Sequence, residues 1–332
     1  MREKGNLLLR FSVKLITTVV VVFGLSAIGL LGYYFYVSLK VKSELSGTYT
    51  RYDIESSGLM RSFAIYQPDS LKSAVPLLLA LHGSRGSGDQ IRRSVVYEFD
   101  QYADEFGFLV AYPTGFENHW NDCRKNASYS ANQYDVDDVR FLRELVSYIG
   151  RLGINVTRVH VIGHSNGGHM AYRLALEAPD LVDGVTAVSA SLPNDENLGC
   201  TPSGQPVQIN ILNGTEDKIN PYEGGVVELF GDSSRGEVLS SIGTAEYWAD
   251  LAGIRTSALH ILPETDGNHS TSVEVKSWAR KDGFRVKLYT LRGSGHVIPA
   301  RDDMFPRIIG PSAGDVSAAA IVAQDLSATD VR

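Results

Sequence analysis

Apolar runs at 75–81, 108–112, 159–162, 185–188 and 207–212 are the feature that most restricts how this chain can fold. Each is continuous rather than alternating, which is the pattern of a strand buried on both faces. Between them lie helical patterns. Val139, Leu142, Leu145, Val146 and Ile149 form one stripe behind Asp137 and Asp138, acids placed where a helix dipole favours them. Further helices are expected over about 166–176 and 244–251, and segments 61–66 and 285–291 alternate as antiparallel strands do. Buried strands alternating with amphipathic helices give an α/β fold, a mostly parallel central sheet covered by helices on both faces. A short closing helix is expected around Val316, Ala319, Ile321, Val322 and Leu326, capped by Asp315 or Ser317.

The N-terminus carries a different signal. Arg2, Lys4, Arg10 and Lys14 precede an uncharged, apolar segment at 15–39, long enough to span a bilayer as a helix. Tyr33, Tyr34, Phe35 and Tyr36 resemble an interfacial aromatic belt, and basic residues are denser before the segment than after it. The expected organisation is a cytoplasmic N-terminus over 1–14, a transmembrane anchor over 15–39 and a polar linker over 40–57. A catalytic domain over 58–327 and a frayed tail over 328–332 follow. A long cleaved signal peptide is the alternative for 15–39. The body is then extracytoplasmic, and the membrane is the expected partner.

A formal net charge of −7 argues against a nucleic-acid partner. The 2 cysteines, Cys123 and Cys200, are too few for a structural zinc site. Both are expected on one rim of the sheet, where they can form a bridge outside the cytoplasm. Asp135, Asp137 and Asp138 are read as capping acids rather than a calcium site. The sequons at Asn126, Asn155, Asn213 and Asn268 are read as incidental.

The chemistry concentrates at Gly163-His164-Ser165-Asn166-Gly167, a G-x-S-x-G motif between the apolar 159–162 run and a helical segment. A strand, a sharp turn and a helix are the context that exposes such a serine as a nucleophile. The glycines are needed because side chains at 163 or 167 would clash with the adjoining strand and helix. Serine needs a base to remove its proton, and in this architecture an acid and then a histidine follow it in the chain. Asp217 follows the 207–212 run, and His296 follows the last strand. Glu216 competes for the acid role. His260 and His269 lack a buried parallel strand to deliver them, while His82, His160 and His164 are read as structural. The two oxyanion donors are expected from the backbone of Asn166 and of Ser84, in His82-Gly83-Ser84-Arg85-Gly86, with Gly83 as the alternative to Ser84.

These residues sit among longer matching stretches. They are Pro76-Leu77-Leu78-Leu79-Ala80-Leu81-His82-Gly83, Ala111-Tyr112-Pro113-Thr114-Gly115, Trp120-Asn121-Asp122, Asp137-Asp138-Val139-Arg140-Phe141-Leu142, and Asn213-Gly214-Thr215-Glu216-Asp217. Over roughly 58–327 the chain resembles the polyhydroxybutyrate depolymerase/feruloyl esterase family of secreted α/β-hydrolases, including lipoprotein-type esterases. The resemblance implies a carboxylic-ester hydrolase with Ser165, Asp217 and His296 as triad, Trp120 near the pocket, and no metal or organic cofactor. One position departs from the family: Ile298 stands where a tryptophan commonly follows the catalytic histidine. A serine peptidase of the same fold, or a non-catalytic scaffold, is the alternative function.

Overall fold

The computed structural model describes residues 41–42, 44–69, 71–72, 74–229, 231–265, 267–302 and 305–327. The anchor expected at 15–39, the segment before it and the tail at 328–332 lie outside them. Among the described residues no helix is long and apolar enough to cross a membrane.

The strands, in chain order, are β1 (Thr48–Ser56), β2 (Leu59–Gln67), β3 (Ala74–Leu81), β4 (Leu109–Pro113), β5 (Asn155–His164), β6 (Gly184–Val188), β7 (Gln208–Gly214), the short pair β8 (Gly225–Val226) and β9 (Glu237–Val238), β10 (Ser257–Ile261), β11 (Ser272–Ala279) and β12 (Arg285–Arg292). A 10-stranded sheet runs in the order β1-β2-β4-β3-β5-β6-β7-β12-β11-β10. Its centre, from β4 through β3, β5, β6 and β7 to β12, is parallel. Antiparallel strands close both sides.

Helices α1 (Gly88–Ser94), α2 (Glu98–Phe106), α3 (Ser130–Gln133), α4 (Asp138–Arg151), α5 (Asn166–Glu177), α6 (Ser241–Leu251) and α7 (Ala318–Ser327), with a 3₁₀ turn at Arg307–Ile309, complete the described elements. Phe141, Leu145 and Ile149 of α4, Met170 and Leu174 of α5 and Trp248 of α6 share one core with Leu77, Leu79 and Leu81 of β3. Side chains alternate along a strand, so Leu78 and Ala80 face the other way. There α7 packs against β3, β5 and β6, and α2 packs on α7. Both faces are covered, and this is why the inner strands read as unbroken apolar runs.

The sequence reading needs correcting at its margins. The linker expected over 40–57 holds β1, and the compact unit begins at Ser46. β1 pairs with β2 along its whole length but is largely exposed. β10 is exposed at every position, so no apolar signal marks it. Asp137 does cap α4, accepting from Arg140 N at 2.9 Å. Asp138 does more than complement a dipole: it is fully buried, 2.6 Å from Arg61, and also accepts from Asn121 N. Ser317, rather than Asp315, caps α7 by accepting from Ala320 N. Cys123 and Cys200 are disulfide-bonded, with Cα atoms 5.1 Å apart.

Candidate active site

Parallel strands deliver their carboxyl ends to one edge, where α/β sheets place ligands. β3, β5, β7 and β12 all point there. Ser165 directly follows β5 with φ 54° and ψ −119°, a conformation few non-glycine residues adopt. The turn is held at both sides, since Ser165 N donates to Val188 O and His169 N to Ser165 O. Its tightness explains the glycines. A Cβ on Gly163 would sit 2.0 Å from Gly167 O, and one on Gly167 would sit 2.3 Å from Leu81 O.

The loops after β7 and β12 bring Asp217 and His296 together. His296 Nδ1 lies 2.7 Å from Asp217 Oδ2. The other carboxylate oxygen, Oδ1, accepts from Ile219 N at 2.8 Å and from Asn220 N at 2.9 Å, which fixes the carboxylate's orientation. Both residues are buried, whereas Glu216 is exposed and uses its backbone N to bond Ser294 O. The acid beside the histidine is therefore Asp217. The bond occupies Nδ1 and leaves Nε2, the nitrogen a serine hydroxyl needs. The His164 ring packs 5.0 Å from that of His296. Burial, and secondarily the charge His296 can carry, hold His164 well below the usual histidine range. His164 thus stays neutral beside His296.

The loop after β3 approaches from the opposite side. Gly115 N donates to His82 Nε2 at 2.9 Å, so the proton sits on Nδ1, which donates to Gly83 O at 2.7 Å. Burial pushes His82 down to about 4, which keeps this neutral form. Arg85 N and Asn118 Nδ2 tie the loop further. Among the described residues, the backbone N–H groups of Ser84 and Asn166 enter no hydrogen bond. An oxyanion hole requires free donors of this kind.

Trp120 lies next to the cavity rather than on its surface. It is fully buried and does not line the cavity. Its indole N–H donates to His82 O at 3.0 Å and its ring packs on His82, so it braces the loop from behind. A large flat side chain with one donor suits that backing role. Its backbone N and O also grip the Asn166 side chain, whose Nδ2 reaches Asp122 Oδ2 at 2.7 Å as well. Asp122 is in turn paired with buried Arg124. Nothing in the spacing of Asp122 and Arg124 shows that they meet Asn166, so the sequence carries no signal for this link. Asn213 is buried and bonded to Ala190 and Ser241, so its sequon is sealed. His260 and His269 lie away from the site, on exposed β10 and in an exposed pair with Glu264.

Ser165, His296, His82 and Ser84 open on one cavity of about 230 Å³, whose apolar wall includes Ile91, Leu229 and Ile298. Among the described residues no cluster suited to a metal ion occurs.

Residues 76–222 match the family model described as alpha/beta hydrolase fold. Feruloyl esterase B of Neurospora crassa is 30% identical over 270 residues, covering 74% of this chain and 86% of that protein. Acetylxylan esterase of Coprinopsis cinerea is 25% identical over 255 residues, covering 72% and 66%. Acetyl xylan esterase from Aspergillus awamori superposes with a TM-score of 0.52 at 18% identity, over 75% of this chain and 95% of that one, a likeness of fold. On that identity and coverage, the chain is an esterase of the α/β-hydrolase fold and belongs to the family that holds feruloyl esterase B.

Proposed function

We propose that the protein hydrolyses carboxylic esters through an acyl-enzyme formed on Ser165. The observation that carries the reading is the 2.7 Å bond between Asp217 and His296, on the cavity that Ser165 also lines. In the first half-reaction Ser165 Oγ attacks the ester carbonyl while His296 Nε2 takes its proton. The C–O bond to the alcohol then breaks, and His296 returns the proton to the leaving alkoxide. In the second half-reaction water replaces the alcohol: His296 deprotonates it, the acyl–Oγ bond breaks, and Ser165 regains its proton. Asp217 keeps the imidazole in the required tautomer and balances the charge it acquires. The amides of Asn166 and Ser84 stabilise the tetrahedral oxyanion. Every protein group the steps need comes from this chain.

The wall favours a small aliphatic acyl group. Ile298 occupies the position where the family's tryptophan is expected, and Ile91, Ile219, Val227 and Leu229 are aliphatic as well, while Phe305 and Tyr129 are the aromatic members of the wall. Short hydroxyalkanoate and acetyl esters are therefore placed ahead of feruloyl esters, although a relative is named for the latter. A fluorophosphonate probe tests the nucleophile. Labelling at Ser165 that disappears in Ser165→Ala supports the reading, and labelling that survives refutes it. A panel of hydroxyalkanoate, acetyl and feruloyl esters ranks the substrates.

The uncharged segment at 15–39 and the Cys123–Cys200 bridge support a hydrolase held on the outer side of a membrane. A mature N-terminus starting near residue 38 or later by mass spectrometry replaces the anchor with a cleaved signal peptide.

A further inference from the structure

The chain is acidic overall, yet the cavity beside Ser165 is not. Among its described lining residues stand Arg124 and Arg235, and no aspartate or glutamate. Both arginines are nearly fully buried. Burying a guanidinium is costly unless its donors are satisfied, so each donor can be followed to its partner.

Arg124 donates from Nε and Nη2 to Asp122, at 3.1 and 2.6 Å, and Nη2 also lies 3.5 Å from Tyr129 Oη. Arg235 donates from Nε to Tyr129 Oη at 2.9 Å and from Nη1 to Asp232 O at 2.9 Å. Those bonds explain how the two loops are tied together. They leave Nη1 of Arg124 and Nη2 of Arg235 without a partner among the described residues, and neither atom is sealed from solvent. The Tyr129 hydroxyl accepts from both arginines, so its own proton remains to be given.

The counter-charges are unequal. Asp122 is buried, but its oxygens are shared among Arg124, the Arg124 backbone and the Asn166 amide. Asp232 is 52% exposed while its partner Arg235 is 7% exposed. Solvent screens the carboxylate more than the guanidinium, which faces the low-dielectric cavity. His119, stacked on Tyr129 at 4.5 Å, is held below its usual range first by burial, with the charges of Arg85 and Arg235 adding to it. The charged groups lining this wall are thus both cationic, on a chain whose net charge is −7.

We propose that Arg124, Arg235 and Tyr129 form a carboxylate-binding subsite, so that the ester this cavity selects carries a free carboxylate on a short aliphatic frame. The inference rests on the Ser165 esterase reading for its chemistry, but the subsite itself is a binding claim. Guanidinium donors in a partly desolvated wall recognise carboxylates through charge-assisted hydrogen bonds.

The test uses Ser165→Ala protein, which binds without turnover, and two pairs of probes. Monomethyl glutarate against dimethyl glutarate places the carboxylate on the acyl side. Acetoxyacetate against its methyl ester places it on the alcohol side. Titration calorimetry should give at least about a tenfold preference for the acid over its neutral twin in one pair, the scale of one charge-assisted hydrogen bond. Adding Arg235→Gln should bring that ratio to within about threefold, whereas Arg235→Lys, which keeps the charge, should retain most of it. Tyr129→Phe should lower the ratio by a smaller factor, and serves if Arg235→Gln does not fold. Equal binding of both twins in both pairs overturns the proposal, as does a preference that survives Arg235→Gln. The two claims fail separately. Wild-type protein that labels with fluorophosphonate but binds twins equally loses only the subsite. Selective binding by Ser165→Ala protein, with no hydrolysis by wild type, keeps the subsite and removes Ser165 as nucleophile.

Discussion

Replacing Asp217 with asparagine tests the reading at its most specific point. The carboxylate accepts on both sides: His296 Nδ1 on one oxygen, and the backbone N–H groups of Ile219 and Asn220 on the other. An amide can present only one oxygen. If that oxygen faces the backbone, the NH₂ group meets Nδ1 and forces the imidazole proton onto Nε2, where the base must be free. If it faces the histidine, the NH₂ group points at two backbone donors. The first arrangement costs activity; the second costs stability, about 1–3 kcal/mol for buried donors left unmatched. Two backbone donors outweigh one ring nitrogen, so the first arrangement should prevail. The expected loss in kcat is then about 10³–10⁴-fold, equivalent to about 4–5.5 kcal/mol of transition-state stabilisation. Steady-state hydrolysis of a p-nitrophenyl ester measures the first quantity and urea denaturation the second. Glu216→Gln, altering an exposed side chain, should remain within about twofold of wild type. Turnover within tenfold of wild type in Asp217→Asn, or loss of activity in Glu216→Gln, refutes the assignment.

Glycines of opposite kind give a paired stability prediction. Gly167→Ala forces a Cβ to 2.3 Å from Leu81 O and should cost about 3–5 kcal/mol or prevent soluble expression. Gly150→Ala, in α4 with open space around it, should stabilise by about 0.5–1 kcal/mol, and chemical denaturation of both checks the contrast. The Cys123–Cys200 bridge spans 77 residues, so reducing it should lower stability by about 4.5 kcal/mol; two thiols that alkylate freely in the folded, unreduced protein would contradict the bridge. Stability should also fall in acid. His82 titrates at about 4 when folded against about 6.5 unfolded, so the unfolded chain takes up the extra proton first. That contribution is complete above about pH 6.5 and is lost as pH falls toward 4, reaching about 2 kcal/mol at pH 5. His164 and His169, also held down by burial, act in the same direction. Denaturation curves that coincide at pH 7.5 and pH 5 would exclude it.

The parts legible in the sequence are those whose physical demands are local. A strand buried on both faces must be apolar throughout, so β3, β4, β5, β6 and β7 announce themselves. The tight turn at Ser165 excludes side chains at 163 and 167, so the glycines mark it. Elements that lean on a neighbour without burying their own side chains leave no such mark. β1 and β10 are held by backbone pairing at the edges of the sheet, and their sequences record little of it. α1 and α2 were missed for a related reason. α2 buries Glu98 and Asp100, charges that satisfy Arg301 and Arg92 rather than the helix's own pattern.

The same distinction runs through the active site. Ser165, Asp217 and His296 are legible as candidates because each must follow a parallel strand, a constraint of chain order. The residues that hold them are constrained only by proximity. The family resemblance puts Trp120 near the pocket, and its volume fills the space behind the loop after β3. Its single donor goes to His82 O, and its backbone fixes the Asn166 side chain. Asp122 completes that chain, linking Asn166 to Arg124 on the cavity wall. The bridge from adjoining Cys123 to Cys200 anchors the same segment. A buried carboxylate normally rises above its usual range, as Asp138 does even beside Arg61. Asp122 is pushed up by burial too, yet Arg124 and its hydrogen bonds hold it below that range. A charge that firmly ionised, one residue from a disulfide, is a rigid reference point. It orients Asn166, whose backbone amide is the proposed oxyanion donor, and its partner Arg124 lines the cavity. The proposed oxyanion donor and the proposed carboxylate subsite thus share a single ion pair.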